Sequence, residues 1–553
     1  MKILALAVVA ASVVASAVHA QSPLAETIEV RVTNIDVVVT DRDGKPVPNL
    51  TIDDFEILED GDPQKITNFY EIFENQVKGV DEEANGPVSE EVGRRRMIIF
   101  VDNSSVHPLA RNQAFIALEK SLDTLMRPKD EAMVVFYGGR DRIVAELTSD
   151  RVELLRGLHA GAKRTAGGMA LEAGKARIIE YASQLLADAN APGGRMKMTV
   201  PQAYRIALET ARNHAEQVYS GQLDLFSSLT DTISTLSGLD GKKVLIFLGA
   251  EMPEAPGMEL FEHIDSMYQG YLPDIKPAVM RERFRSLSTE LRELSNHANA
   301  NGVTLYLIDT GSRTGFTDPT EHMAQTAAIF TKETNTPTAM ANVAAATGGI
   351  FVSGAKGFEG ALDTVAHDLS AYYSLGYRSP DAQNASRTVK VKVKRDGLRV
   401  RTRSSYFASE GDGDIRNRVI ANVFHPNVKS DFAVSVVAQP GEKVRDRSGQ
   451  YRVNITVTFP SSLTLIPQDD VLAGEFAVFF ATGKEGGALS PVSKAVQRMK
   501  FPGDARETVE AQETFTYTTT LLVPPGEQYV SVGVSDTLAG TAGFARTKVM
   551  VGK

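Results

Sequence analysis

Between residues 97 and 371 the chain alternates short, continuous apolar runs with stretches of helical periodicity. The apolar runs are MIIFVD (97–102), AMVVFY (132–137), KVLIFLG (243–249), VTLYLID (303–309) and GIFVS (349–353). Runs this short and this apolar predict strands that are covered on both faces, and the stretches between them predict helices. Their alternation predicts a doubly wound, Rossmann-like α/β domain with a mostly parallel sheet at 97–371.

One long helical region interrupts this alternation. Apolar residues keep a helical spacing through 161–240, after a short predicted edge strand, RIVAELTS (142–149). The clearest stripe consists of Leu223, Phe226, Leu229, Ile233 and Leu236. We therefore predict a helical expansion of the α/β domain at 161–240.

The segments on either side of this domain alternate apolar and polar residues with a period of two. In RTVKVKVKR (387–395), for example, valines alternate with lysines. This period predicts strands with one buried face, at 28–75 and at 372–407. We expect the two sets to pack together as one β-sandwich that flanks the α/β domain. The polar stretch at 76–96 is predicted to be a linker.

The C-terminal part of the chain also predicts strands. ASEGDGDIRN (408–417) is rich in Gly and Asp and is predicted to be a second linker. Beyond it, short alternating segments separated by Pro and Gly turns continue to the C-terminus. They predict an immunoglobulin-like or fibronectin-like all-β sandwich at 418–553. The predicted fold class is therefore multidomain: an α/β domain, a flanking β-sandwich and a C-terminal β-sandwich.

The first twenty residues, MKILALAVVAASVVASAVHA, have one Lys, an apolar run and small residues at the end. This pattern predicts a secretory signal peptide at 1–20, and an uncleaved anchor is the alternative. Its removal changes the formal net charge from −10 to about −11. No other apolar run reaches about 18 residues, so we expect no transmembrane anchor after cleavage. The expected product is exported, to the periplasm or outside the cell.

Composition excludes several classes of function. Charged residues make up 23% and hydrophobic residues 42% of the chain, as is usual for globular proteins. The absence of Cys excludes disulfides, thiolate metal sites and a cysteine nucleophile. The acidic balance argues against a nucleic-acid partner. No HExxH, GxSxG, P-loop or dinucleotide fingerprint occurs, so we expect that the protein is not an enzyme.

A buried strand that ends in Asp102 and is followed by Ser104 and a helix resembles the start of a von Willebrand factor A domain. Further motifs extend the resemblance over roughly 28–408. They are VVVTDRDGKPVPNLTIDDFEILEDGDPQKI, GKKVLIFLGAE, ANGVTLYLIDTGS, AAATGGIFV and LSAYYSLGYRS. On these motifs the chain resembles the bacterial VWFA-related proteins first grouped from acidobacteria. The resemblance implies a von Willebrand A-like domain that binds a protein partner through loops at the carboxyl ends of its strands.

The von Willebrand A family commonly binds proteins through a divalent metal, a metal-ion-dependent adhesion site. Its oxygen ligands come from an Asp-x-Ser-x-Ser turn, a Thr on a second loop and an Asp on a third, which suits the octahedral preference of Mg2+. Applied to this chain, Asp102 and Ser104 match the first two positions, but Val106 stands at the third. The resemblance thus implies a degenerate site.

The other two loops of this site also depart from the family pattern. The expected Gly-Gly-Thr reads Gly-Gly-Met at 167–169, which leaves Thr165 as a replacement. Ala250 stands at the position of the last Asp, and Glu251 follows it. The candidate metal ligands are therefore Asp102, Ser104, Thr165 and Glu251. We expect no obligate cofactor, and at most weak binding of Mg2+ or another divalent cation.

The opening turn also permits a purely structural interpretation. Asp102 and Ser104 can cap the following helix by accepting hydrogen bonds from its first N–H groups. Ser105 is expected to point away from Asp102, because neighbouring side chains in an extended turn face opposite ways. His107 is expected to be a partly exposed loop residue.

A run of basic residues gives a second candidate surface. Lys390, Lys392, Lys394, Arg399, Arg401 and Arg403 are predicted to share one face of a hairpin. Such a face could bind an anionic envelope polymer. The alternative is a solvated face that discourages edge-to-edge strand pairing.

The favoured hypothesis is a non-enzymatic, adhesion-type interaction protein. Its protein-binding loops are predicted at 103–108, 161–170, 250–257 and 310–340, where doubly wound sheets place their binding sites. A structural envelope scaffold is the alternative. An envelope enzyme with an unrecognised site is a further one.

Overall fold

The structure is a computed structural model. It describes residues 32–73, 76–81, 93–138, 142–191, 198–273, 276, 285–310, 335–353, 357–378, 386–407, 412–425, 428–444, 449–461, 465–468, 470–484, 489–502 and 513–552. The predicted signal peptide at 1–20 and most of the predicted binding loop at 310–340 lie outside these residues. Among the described helices, none combines the length and the apolarity that crossing a membrane requires.

Twenty-three strands lie in the described residues. In chain order they are β1 (Val32–Thr40), β2 (Phe55–Glu59), β3 (Asp62–Gln64), β4 (Ile66–Phe73), β5 (Gln76–Asp81), β6 (Arg95–Asp102), β7 (Glu131–Tyr137), β8 (Arg142–Thr148), β9 (Lys242–Gly249), β10 (Val303–Asp309), β11 (Phe351–Ser353), β12 (Ala371–Arg378), β13 (Ser386–Val393), β14 (Arg399–Thr402), β15 (Ser405–Phe407), β16 (Ser435–Lys443), β17 (Tyr451–Pro460), β18 (Ile466–Gln468), β19 (Val471–Gly483), β20 (Ser493–Pro502), β21 (Thr514–Val523), β22 (Gly526–Asp536) and β23 (Thr541–Val551).

The described residues also form eight helices with defined bounds. They are α1 (Pro108–Leu125), α2 (Arg151–Ala162), α3 (Gly168–Asn190), α4 (Val200–Ser234), α5 (Met258–Tyr268), α6 (Ser288–Ala300), α7 (Phe358–Ser370) and α8 (Asp412–Phe424). Residues 335–346 are helical as well.

The central sheet has six strands in the order β8-β7-β6-β9-β10-β11. All neighbouring strands are parallel except β8, which runs antiparallel to β7 at one edge. Met97, Ile99 and Val101 pack against α1, α2 and α7 on one face. Ile98 and Phe100 pack against α4, α6 and the helical stretch 335–346 on the other. The run Met97–Asp102 is therefore an inner strand between two helical layers.

The helical region at 161–240 contains α3 and α4, and α4 has two roles. Its second half, with Leu225, Phe226 and Leu229, packs on the central sheet. Its first half packs instead against α3 and α5, in a separate small core that includes Ala207, Ala182 and Ile264. The expansion is thus a helical subdomain anchored to the sheet by one continuous helix of 35 residues.

The N-terminal strands pair with strands from 371–407. One sheet has the order β14-β1-β12-β4-β5 and the other β15-β13-β2-β3, and their apolar faces enclose a common core. The linker prediction for 76–96 was wrong at both ends, because residues 76–81 form β5, which pairs with β4, and β6 begins at Arg95. An edge strand such as β5 is held by backbone hydrogen bonds, so its polar sequence carries no apolar alternation that would reveal it.

The C-terminal part is a sandwich of a sheet β16-β17-β21 and a sheet that contains β18, β19, β20, β22 and β23. The linker prediction for 408–417 was wrong from residue 412 onward, because α8 begins there. Its apolar residues Ile415 and Val419 cover the outer face of the second sheet, against Phe479 and Phe544. The chain is therefore a multidomain, mixed α/β protein with several sheets.

Candidate functional site

Three loops meet at the carboxyl end of the central sheet, and we call them the crest: residues 103–107, 163–168 and 250–257. The strands β6 and β9 are parallel neighbours, so the loops that follow them leave the sheet side by side. The backbone N–H of Asn103 donates to the carbonyl of Tyr137 at the end of β7, 2.8 Å away. The backbone N–H of Gly167 donates to the carbonyl of Asn103, also at 2.8 Å.

Asp102 is fully buried at the end of β6. Its Oδ1 accepts hydrogen bonds from the backbone N–H of Ser104 at 3.0 Å and from the Ser104 hydroxyl at 2.5 Å. Burial raises the pKa of the Asp102 carboxyl; the serine hydrogen bonds oppose this shift, and the charge of Glu251 adds to it. The site therefore holds a buried acid whose charged form is disfavoured.

Ser105 is a site residue that the sequence interpretation missed. Its hydroxyl donates to Asp102 Oδ2 at 2.5 Å and accepts from the backbone N–H of Ala250 at 3.1 Å. The prediction that Ser105 points away was wrong, because the turn is tight rather than extended: the N–H of Val106 reaches back to the carbonyl of Asp102. Ser105 thereby joins the loop after β6 to the loop after β9.

Helix α1 is capped by His107 and not by the Asp102 turn. The ring Nδ1 of His107 accepts a hydrogen bond from the backbone N–H of Leu109, 3.2 Å away, and the helix begins at Pro108. Asp102 lies six residues before that start, and its carboxylate oxygens accept hydrogen bonds from Ser104 and Ser105. The capping prediction for Asp102 and Ser104 was therefore wrong.

The glycine pair at 167–168 lies directly against the Asp102 turn. A Cβ on Gly167 would lie 2.4 Å from the carbonyl oxygen of Ser104, and a Cβ on Gly168 would lie 2.6 Å from that of Ser105. The Gly168 N–H also donates to the carbonyl of Val106 at 3.2 Å. These positions need glycine because the two loops touch backbone to backbone.

Arg111 fixes the same loop from beneath and was also missed by the sequence interpretation. This buried guanidinium donates to Asn103 Oδ1 at 3.0 Å, to the carbonyl of Arg164 at 2.5 Å and to that of Ala162 at 3.0 Å. Asn103 in turn donates to the carbonyl of Thr165, 2.6 Å away. A lone Arg in a helix pattern gives no sequence signal for this role.

The four candidate metal ligands differ in the contacts that they make. Asp102 and Ser104 contact each other, whereas Thr165 is an exposed residue whose backbone carbonyl is the atom used in the loop contact. Glu251 is buried, and its Oε1 lies 2.5 Å from the Nζ of Lys175. Within the described ranges, no group of three or more His, Asp and Glu side chains could hold a metal ion.

Lys175, on α3, is a second charged residue near the site that sequence reasoning did not single out. Its Nζ contacts Glu251 and also Glu259 Oε1, at 3.1 Å. Burial opposes its charge, but the two carboxylates outweigh this and leave the pKa of Lys175 above its ordinary value. His214 lies near this group, and its pKa is lowered by burial and by the Lys175 charge.

Two large apolar side chains are exposed beside this polar turn. Leu109, in the first turn of α1, is 67% exposed, and Met169, in the first turn of α3, is 58% exposed. The starts of the two helices lie close together, because a Cβ on Gly168 would lie 2.7 Å from the backbone N of His107. Two exposed apolar side chains thus lie directly beside the crest, whose backbone is held by Arg111, Asn103 and Ser105.

The predicted single basic face is not formed. β13 pairs with β2 and β14 pairs with β1, so Lys390 and Lys392 lie in a different sheet from the two arginines of β14, and Lys394 directly follows β13. Arg401 forms an ion pair with Asp368, and the guanidinium of Arg403 donates to the carbonyl of Asn299 at 3.1 Å. The turn at 396–397 connects two sheets instead of closing a hairpin, a topology that alternation alone does not reveal.

No protein-family model matches the chain, and no curated protein matches it significantly. Among solved structures, an aerotolerance-related membrane protein from Bacteroides fragilis is 10% identical and covers 50% of this chain and 98% of its own, with a TM-score of 0.20. The conserved hypothetical protein BatB from Bacteroides thetaiotaomicron is 10% identical and covers 50% and 97%, also with a TM-score of 0.20. The pilus adhesin SpaC from Lactobacillus rhamnosus GG is 9% identical and covers 92% and 62%, with a TM-score of 0.22. Likenesses this weak carry no argument about function.

Proposed function

We propose that this chain is an exported, non-enzymatic interaction protein that binds another protein at the crest of a von Willebrand A-like domain. The strand order of the central sheet supports the doubly wound interpretation. Numbered along the chain, the strands β8-β7-β6-β9-β10-β11 follow the order 3-2-1-4-5-6. In sheets of this order, ligands bind outside the carboxyl ends at the point where the strand order reverses. That point is the gap between β6 and β9, where the crest lies.

One observation carries the proposal: two exposed apolar side chains, Leu109 and Met169, flank a rigidly held turn at the switch point. Exposed apolar residues scattered singly need no explanation, but a pair at a binding position indicates a contact surface. Arg111 and the Gly167-Gly168 contact fix the backbone beneath it, so little conformational entropy is lost when a partner binds. The surface is preorganised for a protein rather than built around a reacting group.

A photoreactive amino acid at position 109 or 169 tests the proposal in the exporting cell. Val152 is the matched control, because it is 62% exposed but lies at the opposite end of the sheet. It is in the first turn of α2, and the strand before that helix, β8, ends beside the start of β7. We expect a cross-linked protein from the crest positions and none from Val152. For that partner, Leu109→Ser with Met169→Ser weakens binding by more than about 10-fold, as expected for the loss of central apolar contacts.

Two outcomes would contradict the proposal. One is equal cross-linking at positions 109, 169 and 152. The other is a crest variant that keeps full affinity for the partner. Either would favour the structural-scaffold alternative, in which the sandwiches make the contacts and the α/β domain serves as a frame.

A further inference from the structure

Lys175 forms a buried ion cluster with two carboxylates, one of which, Glu251, belongs to the crest. Lys175, Glu251 and Glu259 come from α3, the loop after β9 and α5, so three separate segments converge on one ammonium group. The side chains of Lys175 and Glu251 are each 10% exposed and that of Glu259 is 17% exposed. Burying an isolated charge is costly, so a cation this buried needs the two carboxylates that pair with it.

The remaining positions of the family's metal site offer no oxygen. Val106, Met169 and Ala250 stand where the resemblance implies Ser, Thr and Asp, and none has a side-chain oxygen. Thr165 lies exposed on the loop, and the Glu251 oxygen accepts from Lys175. Mg2+ requires about six oxygens in near-octahedral array, and the residues present do not fit it.

We propose that the ammonium group of Lys175 is the resident cation of the crest and replaces the divalent metal of related sites. It neutralises Glu251 and Glu259, and thereby fixes the loop after β9 to α3 and α5 with no ion taken from solution. A divalent cation beside Glu251 would meet this buried positive charge at close range, where repulsion is strong. The inference concerns the metal alone and does not depend on protein binding at the crest.

The first test uses the unaltered protein without its signal peptide. We expect thermal unfolding curves to coincide in EDTA and in 10 mM Mg2+, Ca2+ or Mn2+, and titration calorimetry to show no binding of these ions. A rise of more than about 3 °C in Tm with any one ion would overturn the proposal. A rise of that size corresponds to a site whose Kd is roughly ten times below the ion concentration.

The second test removes the resident cation. Lys175→Gln leaves two carboxylates facing each other, so we expect Tm to fall by several degrees and 10 mM Ca2+ or Mn2+ to recover about 3 °C of it. The double variant Lys175→Met with Glu251→Gln removes the cation and one of the two carboxylates, so no pair of like charges is left facing each other. We expect this variant to be more stable than Lys175→Gln and close to the unaltered protein, and its Tm to be the same with and without each of the three ions.

Each result of these variants decides the question. A Lys175→Gln protein as stable as the unaltered one in EDTA would show that the ammonium neutralises nothing. If Lys175→Gln does not fold, the double variant still decides, because the proposal requires it to fold and to be indifferent to metal. The partner-binding measurements with Leu109 and Met169 variants are independent of these, so either proposal can fail alone.

Discussion

Two buried aspartates, one at each end of the central sheet, are held in different ways. The amino end of the sheet is called the base. There, the Nε of Arg95 donates a hydrogen bond to Asp130 Oδ2, 2.8 Å away, and both side chains are almost fully buried. Also at the base, Lys242 lies 3.4 Å from Asp36 of the N-terminal sandwich. At the crest, by contrast, buried Asp102 is held by the hydroxyls of two serines.

This difference separates a structural end from the end at which we propose that a partner binds. Two ion pairs attach the N-terminal sandwich to the α/β domain: Lys242 pairs with Asp36 of β1, and Arg401 of β14 pairs with Asp368 of α7. The crest carries an acid whose charged form burial disfavours. Departures from the most stable arrangement concentrate at functional sites, which supports the crest as the binding end.

Breaking the base should have the largest effect. Asp130→Ala leaves the Arg95 guanidinium buried without its carboxylate, and we expect a loss of about 3–5 kcal/mol in the free energy of unfolding, measured with urea. The control is Glu359→Ala, which breaks an exposed pair with Lys120 and should cost under about 1 kcal/mol. Equal losses in the two variants would remove the base as a special structural end.

A steric change at the crest should have the next largest effect. Gly168→Ala puts a Cβ against the Ser105 carbonyl, so the two loops must separate, at a cost of about 1–3 kcal/mol. Gly221→Ala, inside α4 with no heavy atom within 4 Å of the new Cβ, should instead stabilise by up to about 1 kcal/mol. The two variants should therefore change the free energy of unfolding in opposite directions. No change in Gly168→Ala would refute the close loop contact.

Acidification should destabilise the folded state through His425. Burial, with Arg546 and Arg96 nearby, lowers the pKa of His425 to about 3, below the unfolded value of about 6.5. The unfolded state thus binds more protons between these values, so stability is full above about pH 6.5 and falls as the pH drops. This one group should remove at most about 2 kcal/mol between pH 7 and pH 5.

His425→Leu checks this sign. The variant should lose that part of the pH dependence, so its urea midpoint should fall less between pH 7 and pH 5. Asp102 acts in the opposite direction, because its raised pKa means that protonation relieves the folded state. An unchanged pH profile in His425→Leu would show that the histidine is not the group responsible.

The smallest expected effect is that of Asp102→Asn. The amide keeps the shape of the carboxylate and removes the buried charge, so the free energy of unfolding at pH 7 should stay the same or rise by up to about 1 kcal/mol. The matched variant Asp130→Asn removes the same charge at the base and should be clearly destabilising. A large loss in Asp102→Asn would mean that the two ends do not differ.

Much of the fold could be predicted because its signals are local. The run Met97–Asp102 predicts a strand covered on both faces, and the structure places it between two helical layers. The alternating Val389 and Val391 likewise face the core of the flanking sandwich. Periodicity works in these cases because the side-chain repeat of a strand or helix is set by the backbone itself.

The same local signal failed where neighbours in space decided the outcome. Residues 412–417 look like a linker, yet they begin α8, because the outer face of β19 and β22 offers apolar surface that only a helix on top can bury. The edge strand β5 and the split of the basic run between two sheets have the same origin. Pairing partners far along the chain leave no trace in a short window of sequence.

The site shows this division most clearly. By itself the sequence determined that Asp102 ends a strand and that Ser104 follows it. It also determined that Val106, Met169 and Ala250, which carry no side-chain oxygen, stand at three positions where the resemblance implies metal ligands. Only the tertiary structure turned Ser105 toward Asp102 and set Lys175 beside Glu251, 76 residues away. An ion pair of that kind depends on which helix covers which loop, and this is decided by the packing of the whole domain.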